Sequence, residues 1–222
     1  MPFACAMLIA ERMSEIFLFD YWRSSASYRV RIVLNLKNVP YTRVPISLLD
    51  NAQRAPDYVA RNPQGFVPML SIHGHDLTQS LAIIDYLDAQ YPDPAMVSSN
   101  PADRAKTLAQ ALIIAADIHP IDNLRVLRYL KDQMGQSQEA VDQYYRHWII
   151  EGFTALEAMA PEDGLFGGDL PNLADVCLVP QMANARRVDT PLHAFPKLLR
   201  MDAALTALPA FAAAHPDQVK PD

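Results

Sequence analysis

Tyr91-Pro92-Asp93-Pro94 and, a few residues on, Ser98-Ser99-Asn100-Pro101 interrupt the chain with turn-forming residues that no helix interior or central strand accommodates. The hydrophobic pattern changes across this break. Before it, short apolar runs alternate with helical spacing. Glu15-Ile-Phe-Leu-Phe-Asp20 suits a buried strand, and Val30, Val33 and Leu34 recur as on a helix that starts near Ser24-Ser25 and runs to about Lys37. Tyr41–Ile46 reads as a second strand, placed at an edge by Pro45. Asn62-Pro63-Gln64-Gly65 marks a loop, Val67-Pro68-Met69-Leu70 begins a strand, and His73-Gly74-His75-Asp76 is a hairpin turn before Leu77. Ser80–Tyr91 closes this half as a helix.

After the break the pattern is helical almost throughout. Ala102–Ile118 and Gln136–Met159 carry long apolar stripes, and Asn172-Leu173-Ala174-Asp175 places a cap residue three positions before an acid, opening the apolar helix Val176–Val179. The expected fold class is therefore α/β plus all-α: an α/β layer over residues 15–94 and an all-helical domain over residues 102–222. Residues 1–14 lack the basic start of a signal peptide and read as a dispensable extension, with Met13 a second possible start.

A net charge of −6 argues against nucleic-acid binding, which needs a basic face, but leaves anionic small substrates open through local arginines. No apolar run approaches the ~20 residues that span a bilayer, so no membrane partner is expected. The two cysteines, Cys5 and Cys177, build neither a disulfide framework nor a metal quartet, which fits a reducing cytoplasmic setting. His73 and His75 are too few ligands for a metal, and none is expected.

Ser24-Ser25-Ala26-Ser27-Tyr28-Arg29-Val30-Arg31-Ile32 is similar to the zeta-class glutathione transferase signature, with Ala26 where that class commonly has cysteine. Phe66-Val67-Pro68, Gln79-Ser80-Leu81-Ala82-Ile83-Ile84-Asp85-Tyr86-Leu87 and Asn172–Asp175 follow in the order of that family, and the resemblance runs from about Ile16 to Asp222. His119-Pro120-Ile121-Asp122-Asn123 and Arg128-Tyr129-Leu130 look most like the bacterial maleylpyruvate isomerases of the class. The resemblance implies a thioredoxin-like first domain, a helical second domain, a homodimer and glutathione as cofactor.

The same resemblance assigns site residues. From position alone, Ser24 and Ser25 read as a helix cap; the family makes them catalytic, with Ser24 preferred as the hydroxyl that donates to the glutathione sulfur. Val67 and Pro68 fall at the family's cis-proline position, where the Val67 backbone pairs with the cysteinyl part of glutathione. Gln79 and Ser80 are expected to meet the γ-glutamyl carboxylate, the alternative for Ser80 being a plain cap, and Gln53 to meet the glycyl end. His119 either donates to the tripeptide, takes part in proton movement or stands behind the ligand, and Asn123 reaches the same ligand. Arg23, Arg125 and Arg187 are the expected clamps for substrate carboxylates, Arg187 also being counted catalytic, while Arg186 points elsewhere. Asp122 has no assigned role, and Asn172–Asp175 serves the fold.

The reaction implied is cis–trans isomerisation of a small maleyl diacid by reversible addition of the glutathione thiolate. Maleylacetoacetate, from tyrosine and phenylalanine breakdown, is the expected substrate. Maleylpyruvate from the gentisate route and small electrophilic acids are the alternatives, and a non-catalytic module of the same fold is the rival from another class.

Overall fold

The computed structural model describes residues 15–221, so the expected extension over residues 1–14 lies outside the described residues. Two compact units result. One runs to Pro94 and takes up the chain again from Ala210, and the other is Ala95–Pro209.

The first unit contains β1 (Phe17–Asp20), α1 (Ser25–Leu36), β2 (Thr42–Pro45), a 3-10 turn (Ala52–Arg54), α2 (Pro56–Arg61), β3 (Met69–Ile72), β4 (His75–Thr78) and α3 (Ser80–Gln90). The sheet order is β2-β1-β3-β4, with β1 parallel to β2 and antiparallel to β3. This is the thioredoxin-like arrangement. β2 lies at an edge and ends at Pro45, which has no ladder N–H to give. Leu18 pairs with Leu70, both fully buried, and α1 packs on α3.

Two strand boundaries differ from the sequence reading. β3 begins at Met69, after Pro68, and the hairpin turn shrinks to His73-Gly74, so that His75 and Asp76 belong to β4. Both turn residues have positive φ, 49° and 79°, and a two-residue turn of that hand matches the strand twist without further residues.

α1 is buried on nearly every side, including two arginines that helical patterning would place in water. Arg31 is tolerated because each of its three guanidinium nitrogens finds an acceptor. It donates from Nη1 to Asp20 at 2.6 Å, from Nη2 to the Trp22 carbonyl at 3.0 Å and from Nε to the Ala214 carbonyl at 3.1 Å. Arg43 adds two further hydrogen bonds to the fully buried Asp20 and donates to the Val219 carbonyl at 2.7 Å. Such a pair is held by its hydrogen bonds, and removing one member would strand a buried charge.

The same arginines explain where the chain's end goes. α10 (Pro209–Ala214) and α11 (Pro216–Val219) were expected with the helical half, yet from Ala210 onward the chain groups with the first unit. Its carbonyls accept from Tyr28, Asn35, Arg31 and Arg43, all on α1 or β2.

The second unit holds α4 (Pro101–Leu112), a π-helical stretch (Ile113–Ile118), a single turn α5 (His119–Ile121), α6 (Leu124–Asp132), α7 (Gln138–Met159), α8 (Leu173–Arg187) and α9 (Pro196–Thr206), with a 3-10 turn at Leu192–Ala194. The continuous helix expected over Ala102–Ile118 therefore widens at Ile113. Gly152 of α7 permits this close approach: a methyl there would sit 2.3 Å from Ile118 Cδ1. α8 runs through Pro180 to Arg187, well past the expected Val179, because every residue from Leu173 to Met182 is buried and that packing outweighs one lost backbone bond.

Candidate active site

Ser24 caps α1. Its backbone is extended (φ −70°, ψ 120°), its carbonyl accepts from Tyr28 N at 2.9 Å, and its Oγ accepts from Ser27 N at 3.2 Å. A serine hydroxyl has one proton to give, and among the described residues this one gives it to nothing. The residue is half-buried, and no acidic side chain occupies the first turn of α1 to offset the positive end of the helix. An anionic sulfur placed here would find a donor and a favourable dipole. Ser25, the first helical residue, is buried, with 6% of its surface exposed.

The remaining residues expected to hold the tripeptide in this unit present their polar atoms in a compatible way. Val67–Pro68 is cis, as expected from the family position. Val67 stands outside the ladder, and among the described residues its backbone N–H and C=O take no turn or loop hydrogen bond. Those groups are open to an added strand. Gln53 is buried, and its Oε1 has no partner among the described residues. Gln79 precedes α3 with φ +67°, a conformation rare outside glycine, and donates to Gln64 Oε1 at 2.5 Å. Ser80 is the first residue of α3 rather than its cap. Its Oγ accepts from the buried Arg29 at 3.4 Å, which places a guanidinium behind the hydroxyl. These donors and acceptors suit a small peptide bearing carboxylates.

In the second unit, His119 opens α5 and is partly exposed. Asn123 caps α6 by accepting from Arg125 N at 3.2 Å, and its amide N–H groups remain for a ligand. Arg125 is exposed on α6. The twin arginines at the end of α8 separate cleanly. Arg186 turns to Asp202 on α9 at 2.5 Å, while Arg187 donates to Tyr145 Oη at 3.1 Å. That is the one hydrogen bond the Arg187 guanidinium makes among the described residues, and its other N–H groups are left for a carboxylate.

Three contributors escape a reading of sequence alone: Tyr145, Gln64 and Arg29 each hold an expected site residue, and nothing in their local pattern shows it. Asp122, which the sequence leaves without a role, bears on stability instead. Only 5% of it is exposed, and neither carboxylate oxygen has a hydrogen bond among the described residues. Burial pushes its carboxyl up to about 8, and its charge is felt by Tyr144 on α7. The folded state therefore holds a proton that the unfolded chain releases near pH 4, and stability falls as pH rises from about 4 to 8. Asp122→Asn is expected to flatten that slope in thermal melts and to stabilise the protein at pH 8 by a few kcal/mol.

The chain matches the model of the glutathione S-transferase N-terminal domain over residues 14–89. It is 47% identical over 211 residues to a maleylacetoacetate isomerase of Rhizobium meliloti, a match covering 94% of this chain and 99% of that protein. Among solved structures, it resembles a holo maleylpyruvate isomerase, a bacterial glutathione transferase of the zeta class (TM-score 0.89, 40% identity, 92% of this chain and 98% of the other). It also resembles a maleylacetoacetate isomerase from Methylobacterium extorquens AM1 with malonate and glutathione bound (TM-score 0.87, 35% identity, 91% and 97% covered).

Proposed function

The chain belongs to the zeta-class glutathione transferases, the family of the maleylacetoacetate isomerases, and from that membership we propose that it converts maleylacetoacetate to fumarylacetoacetate with glutathione as cofactor. The observation that carries the reading is the unspent Ser24 proton at the start of a helix with no acid in its first turn.

Glutathione, when bound, would supply a thiolate nucleophile for reversible addition to the cis double bond and would be regenerated. Everything else falls to the chain. Ser24 donates its hydroxyl proton to the sulfur and favours the ionised form. The Val67 backbone, Gln53, Gln79 and Ser80 fix the tripeptide, with His119 and Asn123 supplying further donors. Arg187 holds a substrate carboxylate in a forked geometry with Tyr145 steadying the guanidinium, and Arg23 and Arg125 serve the same diacid. Orienting the diacid and meeting the charge that develops on it are together the protein's contribution to rate. Arg187→Ala is expected to raise KM for the diacid about 10-fold or more and to lower kcat, with glutathione affinity unchanged in calorimetry.

We read the setting as tyrosine and phenylalanine breakdown in the cytoplasm, with the chain as a homodimer. No helix among the described residues is long and apolar enough to cross a membrane. Steady-state rates with glutathione on maleylacetoacetate and maleylpyruvate test the substrate: a higher kcat/KM on the first is expected, and a strong preference for the second would reverse it. A non-catalytic module would give no heat with millimolar glutathione.

A further inference from the structure

Although the chain carries a net charge of −6, it gathers two cations on one indole beside Ser24. Arg23 Cζ and Lys220 Nζ each lie 5.5 Å from the centroid of the Trp22 ring. Both side chains are exposed, and neither makes an ion pair among the described residues. The backbone that carries both groups is anchored at two points. Arg31 holds the Trp22 carbonyl at 3.0 Å, and Arg43, itself bound to the buried Asp20, holds the Val219 carbonyl one residue before Lys220. Lys220 is therefore tethered, although it stands two residues from the chain's end.

Two like charges near one ring repel each other, a cost that their contacts with the indole offset in part. An anion lying across both would remove that cost. We propose that Arg23 and Lys220 form a two-cation subsite for one carboxylate of the maleyl diacid, so that the carboxy-terminal tail supplies a specificity-determining residue beside Ser24. The inference rests on the reading of Arg23 given under Proposed function and extends it to Lys220. Arg23 offers a forked donor that sets the carboxylate plane, and Lys220 adds a compact charge that strengthens attraction without fixing orientation. The subsite selects dianionic substrates over neutral electrophiles.

The test compares wild type, Lys220→Met, Lys220→Arg and Arg23→Met. It measures KM for the maleyl diacid at saturating glutathione, and calorimetric binding of malonate and of glutathione. Lys220→Met keeps most of the aliphatic stem at an exposed position, so the fold is not at stake. It should raise both the diacid KM and the malonate Kd about 3- to 10-fold, with kcat and glutathione Kd unchanged. Lys220→Arg should bind as wild type does, and Arg23→Met should lose more than Lys220→Met. If Arg23→Met is impaired while Lys220→Met binds malonate normally, the tail has no part in the subsite. If both bind normally, the reading of Arg23 fails and takes this proposal with it.

Discussion

Ser24→Ala is expected to lower kcat/KM for the diacid by on the order of 10²-fold at pH 7, with most of the deficit recovered at pH 9. A free thiol with a pKa of about 8.5 is only about 3% ionised at pH 7, whereas one lowered by about two units is mostly thiolate. Ionisation alone then accounts for about 25-fold, and the remainder reflects a sulfur no longer fixed in place by the hydroxyl. Raising the pH restores the thiolate without the serine, so the gap should close to a few-fold. A purely structural role for Ser24 predicts otherwise. Losing the cap bond to Ser27 would cost about 1 kcal/mol of stability and leave the rate gap independent of pH. Rate–pH profiles of the two proteins, with thermal melts as control, separate these outcomes.

Asp175→Ala should be among the most damaging single changes to stability away from the site, lowering it by about 3–5 kcal/mol. The side chain is fully buried and accepts three backbone N–H groups: Phe166 at 3.0 Å, Gly167 at 2.9 Å and Asn172 at 3.0 Å. Burial pushes its carboxyl up to about 6 against the pull of those donors, so it is ionised at neutral pH. Removing it leaves three backbone donors without their acceptor. The capping-box role read from Asn172–Asp175 explains only the Asn172 bond, worth about 1 kcal/mol. Calorimetric melts should show Tm falling by about 10 °C or more. Asp175→Asn, which keeps one acceptor oxygen, should fall by roughly half as much.

The contrast between Asn172 and Asp175 shows what the sequence makes legible. Local devices are readable: the proline-rich break, the edge proline at Pro45, the capping box and the serine start of α1 all act within a few residues. The cis bond at Val67–Pro68 was readable through family resemblance rather than through any local rule. Long-range closure is not readable in this way. Arg31 sits in a helical pattern like any solvated arginine, and only the fold brings Asp20, Trp22 and Ala214 to its three donor positions. The π-helical stretch at Ile113–Ile118 depends on Gly152, far along the chain, and the tail's return depends on carbonyls that carry no sequence signal. Arg186 and Arg187, adjacent in sequence, part because a helix turns each residue by about 100°, which sends one toward Asp202 and the other toward Tyr145.

The measurement that bears most directly on this account is the ionisation of the bound cofactor, followed by ultraviolet thiolate absorbance of the glutathione complex as pH is raised. Wild-type protein should show the bound sulfur titrating about two units below the free thiol, and Ser24→Ala should return it close to the free value. A wild-type complex whose sulfur ionises at the same pH as free glutathione would contradict the central claim, whatever the protein's rate.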